Sequence, residues 1–253
     1  MEISVWGCVL GMLLLAVPVV ILNAQGLLPR RLWLCVLRMA LFLAVPGALA
    51  WLLVAVDSPW LNVVSALLYV AATTVVMLFR HRLPLPRLFL PVAAGMVAAV
   101  AVVCAWLLLV LSVPSPFSAS RLLPVVALVA GGVAELEGRA LACYYAGLLH
   151  HGQLYQYLVG NGATRTEAIR YLVRRTLQKV AVSGASRLSL IVVATTPLVA
   201  WAFMLCGASV FTAFAFQAVL LAATFSASVL SVYVALLLAQ RFLLDSTEQL
   251  RQP

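Results

Sequence analysis

The sequence predicts an all-α, polytopic membrane protein with about seven transmembrane helices and one amphipathic helix on the cytoplasmic side. Three observations lead there. Of 253 residues, 65% are hydrophobic and only 9% are charged, with a mean hydropathy of +1.13, whereas a soluble domain carries about 25% charged residues. Apolar runs long enough to cross a bilayer recur between polar breaks. The basic residues, finally, fall almost entirely on one side of those runs.

A hydrocarbon core of about 30 Å takes about 20 apolar residues in a helix. The first run, Ser4 to Leu22, has the length of a signal-peptide core but lacks its other parts. No basic residue precedes it, Glu2 is the only early charge, and Asn23-Ala24-Gln25 is not a small-x-small cleavage site. It is therefore expected to be a first span, starting outside. Six further runs follow: Leu32 to Val56, Trp60 to Phe79, Leu88 to Leu111, Leu122 to Leu149, Leu188 to Cys206 and Val210 to Phe242. The fifth and seventh exceed what a span needs and should tilt or project. Turn signals separate the runs: Asn23-Ala24-Gln25-Gly26 with Pro29, Asp57-Ser58-Pro59, Arg80-His81-Arg82 with Pro84 and Pro86, residues 112–120 with Pro114 and Pro116, and Gly207-Ala208-Ser209.

Placed on this frame, Arg30, Arg31, Arg38, Arg80, Arg82, Arg87, Arg139, Arg165, Arg170, Arg174, Arg175, Lys179, Arg187, Arg241 and Arg251 share one side, and only Arg121 lies on the other. The positive-inside rule puts the amino terminus outside and the carboxyl terminus in the cytoplasm, in the inner (cytoplasmic) membrane of the cell. The net charge of +9 makes anionic lipid headgroups a default partner. Nucleic acid is not expected, because no soluble segment interleaves bases with aromatics. The cysteines Cys8, Cys35, Cys104, Cys143 and Cys206 are scattered without a CxxC and read as small buried hydrophobes. The whole chain forms one membrane domain, residues 1–253, with its longest polar stretch at about residues 150–186.

In that stretch Gly160-Asn161-Gly162-Ala163 breaks the chain. Thr164-Arg165-Thr166-Glu167 then has the spacing of a capping box, Thr at the N-cap and Glu at N3. Ala168, Ile169, Leu172, Val173, Leu177 and Val180 recur at three and four, while Arg170, Arg174, Arg175, Gln178 and Lys179 fill the opposite face. Such a helix either lies on headgroups or presents a docking surface to a cytoplasmic partner.

The run Gly162-Ala163-Thr164-Arg165-Thr166-Glu167-Ala168, continued by Leu172-Val173-Arg174-Arg175, resembles the FetB-type permease family of ABC transporters, associated with iron export and aluminium tolerance. Pro124 with Gly131 seven residues later, Pro197, Gln217 and the Leu37-Arg38 step also match, and the resemblance covers about Leu123 to Phe242. It implies that Gly162, Ala163, Thr164, Glu167, Arg170, Arg174 and Arg175 belong to a coupling helix that docks an ABC ATPase subunit. It also implies a permease homodimer, with ATP and Mg bound on the partner rather than on this chain. The chain departs from the family pattern at Ala127-Leu128-Val129-Ala130-Gly131-Gly132, at Ala185-Ser186-Arg187-Leu188-Ser189, at Leu198 and at Ser209-Val210. The docking segment is thus kept better than the path.

Glu135 and Glu137 are the only acids inside a long apolar run, which makes them candidates for a cation path. Glu135 and Arg139, four apart, share a helix face, and Glu137 points elsewhere. The alternative is a helix leaving the membrane near these charges. Cys143, His150 and His151 are weak candidates for metal ligands, Arg38 is expected to snorkel, and Gly131-Gly132 with Ala127 suits close helix packing. There is no GxxxxGK[ST], HExxH or GxSxG motif, so no enzymatic activity is expected on this chain. The expected function is an ABC permease subunit that exports a metal ion, iron-like, or another small solute. A non-transporting scaffold or regulatory subunit and an ion-driven secondary transporter are the alternatives.

Overall fold

The breaks at Asp57-Ser58-Pro59 and Arg80-His81-Arg82 become turns with local causes. Ser58 is extended (φ −87°, ψ 124°) and Pro59 opens the next helix, where its missing N–H would have had no partner. Asp57 turns the chain in the left-handed region at φ 40°. At the other end of that helix the His81 N–H donates to the Met77 carbonyl (3.1 Å), the Arg82 N–H donates to the Phe79 carbonyl (3.2 Å), and Arg82 adopts φ 54°.

The computed structural model describes residues 14, 16–24, 29–110, 115–150, 157–158, 160–189 and 198–243. Eight helices lie among them: α1 (Ala16–Ala24), α2 (Pro29–Val56), α3 (Pro59–Arg80), α4 (Leu85–Val110), α5 (Ala119–His150), α6 (Arg165–Ser189), α7 (Leu198–Leu205) and α8 (Val210–Leu243). The described residues contain no strand. Five segments are long and apolar enough to span: Leu34–Val56, Pro59–Arg80, Leu85–Leu109, Ala119–His150 and Val210–Ala239. The protein is an all-helical, multi-pass membrane protein.

These five are the second, third, fourth, fifth and seventh expected spans. The first, Ser4 to Leu22, and the sixth, Leu188 to Cys206, fall partly outside the described residues. Their described parts are α1 and, for the sixth, the end of α6 with α7. Three helices start three residues early, the second at Pro29 rather than Leu32. The fourth span starts at Leu85 rather than Leu88, because Pro86 sits in the first turn of α4, where proline costs nothing. The fifth starts at Ala119 rather than Leu122. At 32 residues and about 1.5 Å per residue, α5 is about 48 Å long, and it overruns the hydrocarbon core.

α3, α4, α5 and α8 form the bundle, and α4 and α8 share its most extensive contact. That contact is close because Gly95 faces the backbone of α8. A Cβ there would stand 2.7 Å from the Ser231 carbonyl oxygen and 3.0 Å from the Ala235 nitrogen. Gly132 similarly lets Thr224 against α5, while a Cβ on Gly131 would meet nothing within 4 Å, so of the Gly131-Gly132 pair only Gly132 serves helix packing. α2 leaves its apolar side chains on the outside of the bundle.

Two cores stack along the bundle. One gathers Met77, Leu78, Leu83, Leu88, Leu141, Tyr144, Ile169 and Leu236 at the end rich in basic residues. The other gathers Val70, Met96, Leu107, Leu122, Val126 and Ala223 toward the opposite end. There Asp57 Oδ1 accepts hydrogen bonds from the Ala119 N–H (2.8 Å) and Asn62 Nδ2 (3.1 Å), and Asn62 Nδ2 also donates to the Phe117 carbonyl (2.9 Å). These bonds tie the α2–α3 turn to the start of α5.

Candidate functional site

The candidate docking segment begins with a turn that ends one helical stretch and starts another. The Asn161 N–H donates to the Tyr157 carbonyl (3.1 Å), the Ala163 N–H donates to the Leu158 carbonyl (3.1 Å), and Gly162 takes φ 88°, which glycine adopts without a Cβ clash. Thr164 then caps α6. Glu167 Oε2 accepts from the Thr164 N–H (2.8 Å) and the Thr164 hydroxyl (2.6 Å), so the Glu167 half of the capping box lies where the spacing put it. The Thr164 hydroxyl first, and then its N–H, hold the fully exposed Glu167 carboxyl below the ordinary glutamate range.

The apolar face of α6 does not rest on lipid. Ala168, Ile169, Leu172 and Val180 are buried in the same core as Leu141, Tyr144 and Leu236, and α6 packs on α5 and α8. The headgroup-lying reading of this face is therefore replaced by packing within the protein. Thr176, which the periodicity left unassigned, is buried too, and its hydroxyl donates back to the Leu172 carbonyl (2.8 Å). With this face occupied, Arg170, Tyr171, Arg174, Arg175, Gln178 and Lys179 remain exposed. The result is a basic strip on a helix whose position is set from behind.

Glu135 and Glu137 diverge, as the helical spacing requires. Glu135 pairs with Arg139 (2.9 Å) and also with Arg187 at the far end of α6. Its charge is thereby shared with two guanidinium groups. Glu137 has no exposed surface. Its Oε2 accepts a hydrogen bond from the Ser231 hydroxyl of α8 (2.7 Å), and its Oε1 has no partner among the described residues. The two carboxylates therefore do not converge on one site. Glu137 is enclosed between helices, and Glu135 is exposed.

His81 lies against the next residue: a Cβ on Gly138 would fall 2.5 Å from His81 Nε2. Desolvation, and then the charges of Arg80 and Arg139, hold this imidazole below its usual range. Arg38 is exposed, Cys143 is half-buried and His150 is exposed, while His151 and Pro197 lie outside the described residues. No group of three or more His, Cys, Asp or Glu is poised for a metal ion among the described residues. Gln217 is nearly buried, with its Oε1 unpartnered among the described residues.

A cavity of about 590 Å³ opens between α3, α4 and the start of α5, away from both features. Val63, Val70, Val100, Cys104, Phe117 and Val126 are among its lining residues, which include no acid, base or amide. It offers a cation no charged or amide ligand, and Cys104 supplies a single thiol.

Sequence reasoning missed Ser231, Arg187 and the Asp57–Asn62 link. A signal existed for the first: Ser228 and Ser231 stand three apart in an otherwise apolar run and hence on one helix face. No curated protein and no solved structure matches the chain. A family model does match, over residues 5–244, and the chain belongs to that family, described as Uncharacterised protein family (UPF0014).

Proposed function

We propose that this chain is the permease subunit of an ABC-type transporter. Family membership and the set of apolar helices suggest a membrane transport-related protein. The finer reading rests on α6. An amphipathic helix buried along its apolar face by α5 and α8, with Arg170, Arg174, Arg175 and Lys179 exposed on the other, suits a rigid platform for a cytoplasmic protein with an acidic groove. An ABC ATPase subunit is that protein, and it carries the ATP and Mg. Nucleotide-driven closure of an ATPase pair on a permease homodimer would favour one of two access states, because the nucleotide binds one arrangement better than the other.

The one-sided distribution of basic residues supports a cytoplasmic α6, with the amino terminus outside and the chain in the inner membrane. Export of a small solute, a metal ion such as iron among the candidates, follows from the sequence resemblance alone. The test is purification of the tagged protein in mild detergent. A phosphate-loop ATPase should co-purify and hydrolyse ATP faster with the transported metal, and the double substitution Arg174→Glu, Arg175→Glu should remove that partner while leaving the spans folded. A wild-type protein without an ATPase partner, or unchanged association of the double variant, refutes the docking role.

A further inference from the structure

Among the described acidic residues, Asp57, Glu135 and Glu167 are exposed, and Glu137 alone has no contact with solvent. It is wedged between α5 and α8, with one hydroxyl donor at 2.7 Å on Oε2 and no partner on Oε1 among the described residues. The described ion pairs leave it without a cation, because Arg139 and Arg187 both serve Glu135.

Among the described residues the surrounding elements bring no compensating charge. From α8 comes the buried Ser231 hydroxyl, while the Ser228 hydroxyl, also buried, donates to the Thr224 carbonyl (2.6 Å). From α4, Gly95 meets the Ser231 carbonyl and has no side chain. From the end of α3, Met77 and His81 close on Gly138, with Arg80 beside the imidazole. On α5 itself, Glu135 and Arg139 are paired with each other. An ionised carboxylate here would be a lone charge in an apolar core, holding one hydrogen bond against its full desolvation. A neutral acid keeps the Ser231 bond and loses far less hydration.

We propose that Glu137 and Ser231 form a proton-binding site that links protonation to the packing of α5 on α8. The carboxyl holds its proton while the helices are closed. When they part, the O–H bond of the acid breaks, the proton passes to water, and a hydrated carboxylate remains. This link stands apart from ATPase docking and operates in the permease chain alone.

The experiment uses the full-length protein in lipid nanodiscs, with Glu137→Gln as the neutral mimic that keeps the Ser231 contact. Infrared spectra at neutral pH should contain the C=O stretch of a neutral carboxylic acid in the wild type, and Glu137→Gln should lack it. A thiol introduced by Ser228→Cys reports opening through its labelling by a water-soluble maleimide, located by mass spectrometry. Its rate in the Glu137 background, divided by that in the Glu137→Gln background, should rise about tenfold per pH unit once the acid ionises. The division removes the thiol's own pH dependence. Absence of the neutral-acid band overturns the proposal. So does a rate ratio constant with pH, which would leave Glu137 a permanently neutral packing group.

Discussion

Gly95→Ala is the sharpest test of how α4 meets α8. The added Cβ would stand 2.7 Å from the Ser231 carbonyl oxygen, 3.0 Å from the Ala235 nitrogen and 3.2 Å from the Ala235 Cβ. The first two are backbone atoms of a packed helix and cannot rotate away. Comfortable carbon-to-carbonyl contacts lie at about 3.3–3.6 Å, so the helices must part by about 0.6–0.9 Å. A gap of that size forfeits roughly a quarter to a half of the dispersion attraction of each contact it opens, and overpacking of this kind costs about 1–3 kcal/mol. The better helix propensity of alanine returns at most about 1 kcal/mol. Gly131→Ala is the matched control, since a Cβ there meets nothing within 4 Å, and it should be neutral or slightly stabilising. Reversible unfolding in mixed micelles with increasing SDS should rank Gly95→Ala below Gly131→Ala by about 1–3 kcal/mol. Equal stabilities would mean that α4 and α8 are not in this register.

Two further outcomes follow from the helix ends. Thr164 holds the Glu167 carboxyl below its ordinary range, so the folded value lies under the unfolded one. The resulting stability is present above the ordinary glutamate range and is lost as pH falls through the lowered value. Amide protection over the first hydrogen-bonded turn, residues 168–171, corrected for the intrinsic exchange rate, should therefore fall in acid, and Thr164→Ala should bring that loss on at a higher pH. At the opposite end, Asp57→Ala would unpair the buried Ala119 N–H and force alanine into φ 40°. The unpaired donor alone is worth about 1–3 kcal/mol. Asp57→Asn keeps a carbonyl acceptor and tolerates the left-handed region, so it should lose less in the same unfolding measurement.

Contacts made within one stretch of chain were legible before the fold was seen. The five long spans are runs of apolar residues, the α6 start is a Thr164-to-Glu167 spacing, and the Glu135–Arg139 pair is one helical turn. What escaped depends on which helices become neighbours. Ser231 and Glu137 are 94 residues apart, Ala119 and Asp57 are 62 apart, and Arg187 and Glu135 are 52 apart. A spanning helix is apolar on its lipid side as well as its protein side, so its pattern says little about which face meets which partner. The same limit explains α6. Periodicity shows that Ile169 and Leu172 share a face in need of cover, but lipid and Leu141 satisfy that need equally well in sequence.

That choice of cover decides what the helix can do. An amphipathic helix floating on headgroups could be pushed by a partner without moving the spans, because lipid yields sideways. α6 is instead capped at Thr164, packed along Ile169, Leu172 and Val180, and ion-paired from Arg187 to Glu135 near its end. Gly147 lets Leu172 close on α5, and Gly184 lets Phe225 of α8 close on α6. A displacement applied to Arg174 and Arg175 therefore reaches both α5 and α8 through side chains already in contact. It arrives at the seam where Ser231 gives its hydroxyl to Glu137 and its carbonyl edge to Gly95, the place where parting two helices also exposes the carboxyl that their packing keeps dry.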